Sequence, residues 1–260
     1  MLICTCILVT DFVGACSMTS EGDCPIELWV RAGCDGVRLG GCPLCHQVFM
    51  TLLIKGQDHR ISFKVKTTNP YKAQPEFRAL GFRHVPAFVH DDVLIDQPDE
   101  ILEYIDKILP VPDLQYHNSE ADSAVKDLFS KFCFYIKSLS KDPAHLEAGL
   151  RKLDEFLEKN NTTYLCGPNV THLDCQILPK LHQMRIVLKY IKNYEMPSSL
   201  RSLWKYLEAG YNIEAFRLSC PCDEEIILHW VDRPEVPNVS SSEYKRLSRG
   251  TTTYSFHLSA

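Results

Sequence analysis

The feature that most constrains this chain is a pair of cysteines, Cys42 and Cys45, at the start of a helical pattern that lies between two strand patterns. Ile26-Glu-Leu-Trp-Val-Arg31 alternates apolar and polar residues, as a half-buried strand does. A glycine-rich loop follows, with Gly33, Gly36, Gly40 and Gly41. Pro43 then opens an apolar-periodic stretch that ends at Gly56, the usual proline-first, glycine-last signature of a helix. Ile61-Ser-Phe-Lys-Val-Lys66 alternates again. Next come a short helix over 75–80, a hairpin of Val85–His90 and Val93–Ile95 turning at Asp91-Asp92, and a helix over 96–109. The order βαβ then αββα, with Cys-x-x-Cys at the first helix start, predicts a thioredoxin-like domain over residues 25–110.

Pro110-Val-Pro112 marks a linker, and beyond it strand signals cease. Apolar residues recur every three to four positions at Ala121, Val125, Leu128, Phe132, Ile136 and Leu139. The same spacing holds from Leu146 to Leu157, from Leu173 to Leu188 and from Leu200 to Leu207. An all-helical domain over 113–232 is predicted. Residues 233–260 are rich in Ser, Thr and Pro, show no core face, and read as a mobile tail. Residues 1–24 read as an extension. Their apolar run lacks a leading Lys or Arg and is interrupted by Asp11, unlike a secretory signal.

Composition excludes several classes. Apolar residues make up 45% of 260 and charged residues 23%, which is globular. A net charge of −5 supplies no basic face for general nucleic-acid binding. No uninterrupted apolar run reaches the roughly 18 residues of a membrane helix. The 12 cysteines are scattered, and Cys220 and Cys222 are too close for a relaxed bridge, so a reducing compartment is expected. The sequons at Asn160, Asn161, Asn169 and Asn238 are then accidental.

A thioredoxin-like domain followed by an all-α domain resembles the glutathione transferase architecture. Longer strings narrow the resemblance: Ile26–Gly36, Gly41-Cys-Pro-Leu-Cys-His-Gln-Val-Phe-Met50, Leu53-Ile-Lys-Gly56, Thr171-His-Leu-Asp-Cys-Gln-Ile-Leu-Pro-Lys-Leu181, Glu195-Met-Pro197 leading into Leu203-Trp-Lys-Tyr-Leu207, and Phe216 with Ser219-Cys-Pro-Cys-Asp-Glu-Glu-Ile226. From Pro25 to Trp230, in order, they resemble the chloride intracellular channel family.

The residues themselves suggest the chemistry. Cys42 stands just ahead of Pro43, so its sulfur faces unpaired amides and the positive end of a helix dipole. Both favour the thiolate, the species that attacks disulfides. Cys45 lies on the same turn and either resolves a mixed disulfide or is a buried small hydrophobe. Thr171-x-x-Asp174 reads as a capping box, a folding element, and His172 as a surface residue. No cysteine–histidine pattern predicts a metal.

The resemblance implies more. It makes Val85-Pro86 a cis bond whose preceding backbone, at Val85, pairs with glutathione. It places Gln97 near the γ-glutamyl group, although Pro98 stands where transferases carry a serine, and Asp96 or Gln97 could instead cap the following helix. Glutathione is the implied co-substrate of a weak, glutaredoxin-like thiol–disulfide oxidoreductase using Cys42. The same resemblance implies a cytoplasmic protein that joins membrane lipid conditionally and then conducts chloride through a segment from Cys42 to about Val65. Oxidation of Cys42 or low pH at the histidines would be the trigger. Hydropathy alone argues against insertion, since Lys55, Asp58 and Arg60 interrupt that segment. Gln47 and Leu53 replace the family's Arg and Trp. The alternative is a non-catalytic scaffold that uses the fold and tail for partners.

Overall fold

The computed structural model describes residues 26–59, 62–137 and 141–258. The extension, Leu139 and Ile61 therefore lie outside the described residues. Strand β1 (Ile26–Arg31) coincides with its predicted range; Ile26, Leu28 and Val30 are buried on one face and Trp29 on the other. Helix α1 (Pro43–His59) starts at the predicted proline but runs past Gly56. Gly56 is an interior helical position and not a stop; a Cβ there would make an ordinary contact with the Phe63 ring at 3.4 Å. Strand β2 (Phe63–Thr68) is correspondingly later than its alternation suggested, and it pairs parallel with β1 in the register Leu28↔Val65.

Helix α2 (Pro75–Ala79) leads to β3 (Ala87–His90), β4 (Val93–Ile95) and α3 (Pro98–Ile108). Sheet order is β2-β1-β3-β4, with β3 antiparallel to both β1 and β4. One sheet face buries Leu28, Val30 and Phe88 against Val48, Phe49 and Leu52 of α1 and Ile101 and Ile105 of α3. The other face buries Trp29 edge-on to Phe77 of α2, at 5.3 Å between ring centroids.

Within the predicted helical region, the described residues form α4 (Ser119–Val125), α5 (Leu128–Ile136), α6 (Ala144–Asn160), α7 (His172–Lys192), α8 (Arg201–Asn212), α9 (Glu214–Ser219) and α10 (Asp223–Val231). The periodic face from Ala121 to Ile136 spans two of them, because Asp127 takes a left-handed φ of 60° between α4 and α5. An aspartate adopts that conformation more readily than most residues. The core of the first domain runs without a break into the helical part, and α1 packs on α7 and α9.

Two expectations are corrected. His172 is not a surface residue. Its Nε2 lies 2.7 Å from Asp106 Oδ2, and Asp106 Oδ1 lies 2.5 Å from Lys55 Nζ, itself only 1% exposed. Lys55 also donates to the Leu109 carbonyl at 3.1 Å. Burial raises the Asp106 pKa, but the bonds from Lys55 and His172 outweigh it and hold the carboxyl below its usual range. The charge that interrupts the apolar run of α1 is thus paired at the seam between α1, α3 and α7.

The second correction concerns residues 233–260. Helix α11 (Ser241–Arg249) forms there and buries Leu247 against the core. Beyond it Thr253 and Ser255 act as hydrogen-bond donors to the acidic first turn of α10. Thr253 donates to Glu224, and Ser255 Oγ donates to Asp223 at 2.5 Å. Phe256 stacks among His182, Tyr211 and Phe216. A polar composition that looks unable to fold alone is ordered by the helix it lies on.

Candidate active site around Cys42

The β1–α1 loop is folded tightly. Gly40 N donates to Arg31 O at 2.7 Å, and Cys42 N donates to Gly40 O at 2.8 Å. Helix α10 lies directly on this loop. A Cβ at Gly41 would stand 2.6 Å from the Glu225 carbonyl oxygen and 2.8 Å from Ile226 Cα, both backbone atoms that cannot yield. Glycine is required there by close approach. The helical part thus packs through α10 against the loop beside Cys42.

Cys42 is partly exposed and Cys45 is buried, and both are free thiols. The Cys42 thiol is lowered to about 6. The Cys45 S–H hydrogen bond is the largest cause; the Leu44 and Cys45 amides and the Arg31 cation add to it, and together they overcome burial. Cys45 moves the opposite way. Burial pushes its thiol well above the usual range, and donation to Cys42 and the nearby negative charge push it further. Arg31 N donates to Cys45 Sγ at 3.3 Å, which fixes the second sulfur under the first turn of α1. His46 follows Cys45 in sequence but is no base. Burial lowers its pKa to about 3, and the ring lies against Phe216 at 4.7 Å.

The Val85-Pro86 bond is cis. Sheet register brings the remaining candidates to the same end as Cys42. Ala87 pairs with Trp29, near the C-terminal end of β1, and Ile95 pairs with Phe88. The residues just before β3 (Val85, Pro86) and just after β4 (Gln97) therefore share the sheet edge from which the Cys42 loop departs. Pro86 is buried, Val85 partly buried, and Gln97 exposed. Gln97 occupies the N-cap position of α3 without capping it through its side chain, which donates instead to Asp96 Oδ1 at 3.2 Å. A separate cleft of about 680 Å³ lies between α4, α5 and α7, around Phe129, Gln176, Lys180 and Met184; none of the five candidate residues lines it.

Three nearby residues escaped the sequence reading. Glu225 is buried, and its carboxylate accepts Cys34 N at 2.9 and 3.1 Å, accepts the Cys34 S–H at 3.0 Å, and pairs with Arg38 at 3.2 Å. It pins the loop that leads to Cys42. Arg38 and Arg31 complete that surround. An acidic first turn on a helix was the one available signal for Glu225, and it does not name a partner 191 residues away.

A model of the CLIC-like N-terminal domain matches residues 24–112. A curated nematode protein, Chloride intracellular channel exl-1 of Caenorhabditis elegans, is 35% identical over 235 residues, covering 88% of this chain and 98% of that protein. The chain belongs to the chloride intracellular channel family. Among solved structures, the family homologue EXC-4 from C. elegans superposes with a TM-score of 0.76 at 22% identity, covering 90% of this chain and 93% of that one. A dehydroascorbate reductase from Chlamydomonas reinhardtii superposes at 0.68 and 22% identity, covering 80% and 98%. At that identity the likeness shows the glutathione-transferase-like fold. Within this family fold, no helix among the described residues is long and apolar enough to cross a membrane. No cluster of three His, Cys, Asp or Glu among them is placed to hold a metal ion.

Proposed function

We propose that this protein catalyses glutathione-dependent thiol–disulfide exchange with Cys42 as nucleophile. The observation that carries the reading is the Cys42 thiol at the start of α1, on a residue of intermediate burial, lowered to about 6 mainly by the Cys45 hydrogen bond and against the effect of desolvation. The Cys42 thiolate attacks the glutathione sulfur of a mixed disulfide. The S–S bond breaks, the substrate leaves as a thiolate and takes a proton from water, and glutathione remains bonded to Cys42. A second glutathione thiolate attacks that bond, releasing glutathione disulfide and the Cys42 thiolate. The backbone at Val85, beside the cis Pro86, and the exposed Gln97 amide are the groups proposed to hold the tripeptide.

Cys45 acts in this reading as the donor that steadies the Cys42 thiolate. Its burial and raised pKa disfavour it as an attacking group. The test is the pH profile of Cys42 alkylation, with mass spectrometry after exposure to oxidised glutathione. Cys42 ionises above its pKa, so the rate should hold at neutral pH and fall as pH drops through about 6. In Cys45→Ala the midpoint should rise toward the usual thiol value of about 8.5. A midpoint near the usual value in the unaltered protein, with no adduct on Cys42, favours the scaffold reading.

Membrane association with chloride conduction is a second reading, supported by the names of the curated relatives. The segment concerned is core: Val48, Phe49, Met50 and Leu52 are buried, as is Lys55. Entry therefore requires the first domain to leave its own core, a change between two packings. With oxidation as the trigger, oxidised protein should float with anionic liposomes, and reduced protein and Cys42→Ser should stay in the aqueous fraction. Equal flotation of all three would remove the trigger.

A further inference from the structure

Helix α11 carries Tyr244-Lys-Arg-Leu-Ser-Arg249 on its last turns. Lys245 and Arg246 are exposed and stand three and two residues ahead of Ser248. Leu247 is the one buried side chain in the nine residues of this helix. Arg246 is tied to Glu243 at 2.6 and 2.8 Å, an exposed contact of small worth. Ser248 Oγ donates to Lys245 O at 3.3 Å, a bond within the helix itself. A nine-residue helix with one buried apolar side chain, otherwise held by polar contacts from Tyr190 to Glu243 and from Arg38 to the Ser248 carbonyl, opens locally more often than the domain unfolds. The segment can thus be presented in extended form to a second protein.

Ser248 also stands where three elements meet. Its carbonyl accepts from Arg38 at 3.3 Å and lies 3.6 Å from Cys34 Sγ. The same Arg38 guanidinium pairs with Asp35 at 2.7 Å and with the buried Glu225 at 3.2 Å. Arg38 is therefore the cation through which α11 and α10 hold the loop that runs into Cys42.

We propose that Ser248 is a phosphorylation site for a serine kinase that selects basic residues ahead of its acceptor, and that the phosphate acts on the 32–41 loop through Arg38. In the step, Ser248 Oγ attacks the γ-phosphorus of ATP, the bond to ADP breaks, the hydroxyl proton passes to a base of the kinase, and ADP leaves. Carboxylates of the kinase pair with Lys245 and Arg246. The product carries about −1.5 to −2 charges beside Arg38, and a guanidinium binds phosphate oxygens bidentately. Arg38 turns from Asp35 and Glu225 to the phosphate, and the loop loses the cation shared by its two carboxylate anchors. Any change in Cys42 reactivity rests on the function proposed above; phosphorylation and loop release do not.

The test incubates the full reduced chain with ATP and the catalytic subunit of cAMP-dependent protein kinase, a basophilic enzyme, followed by mass spectrometry and hydrogen exchange. One phosphoryl group is expected on Ser248, and none in Ser248→Ala. Incorporation in Arg246→Ala should fall about tenfold, as for loss of one charge-assisted contact. Amides of residues 33–41 should exchange faster in the phosphorylated protein. In Arg38→Ala, phosphorylation should leave their exchange unchanged. Absence of phosphate on Ser248 overturns the site, and unchanged loop exchange in the phosphorylated wild type overturns the coupling. Loss of Cys42 activity without either result bears on the thiol reading alone.

Discussion

Cys42→Ser is expected to abolish the glutathione adduct and to lower thiol-transfer turnover by at least about a thousandfold. Serine is nearly isosteric and keeps the loop, Gly41 and α10 in place, so the loss is chemical and not structural. A hydroxyl does not ionise near neutrality, and the donor from Cys45 and the first-turn amides cannot make it do so. Cys45 does not substitute, because it is buried and its thiol is held well above the usual range. The measurement is turnover with a glutathionylated peptide, with circular dichroism to confirm the fold. Activity retained in Cys42→Ser would remove the nucleophile from the proposal.

Asp174→Ala should be the most destabilising single change outside the thiol site, by roughly 3–5 kcal/mol. The Asp174 carboxylate is fully buried and accepts from four donors: Thr171 N at 2.8 Å, Thr171 Oγ at 2.7 Å, Leu165 N at 2.9 Å and Tyr206 Oη at 2.9 Å. Alanine leaves these donors without an acceptor in a dry environment, which costs more than the bonds themselves contributed. The N-terminus of α7 loses its cap, and α7 is the helix against which α1 packs. Urea unfolding with an unchanged m-value should report the loss, and Asp174→Asn, which retains one acceptor, should lose less. A change below about 1 kcal/mol would mean that water replaces the carboxylate.

The capping box shows how far local pattern reaches. Thr171 and Asp174 are three residues apart, so their pairing was legible as soon as the helix was. The bonds from Leu165 and Tyr206 to the same carboxylate were not, because they depend on where α8 and the preceding turn come to rest. The sheet was legible for a similar reason. Alternation at Ile26–Arg31 and a tight turn at Asp91-Asp92 are local, whereas the continuation of α1 past Gly56 to His59 is not signalled by the glycine itself.

The site divides along the same line. Cys42 and Cys45 were nameable from the string, while Val85, Pro86 and Gln97 came only with the family resemblance; the register of β1, β3 and β4 brings those three to the Cys42 end of the sheet. Glu225 and Arg38, which hold the loop itself, were not nameable, since no periodicity links residues so far apart in sequence.

Residue order alone determined the two-part architecture, the position of Cys42 ahead of a helix and the cap at Asp174, because each depends on neighbours within a turn or two of chain. Tertiary packing alone decided which of the two cysteines is the more buried, which ionisable groups meet at Lys55, Asp106 and His172, and that residues 241–249 form a helix on the core. Those outcomes follow from desolvation, and how much water a group loses is settled only when distant segments meet.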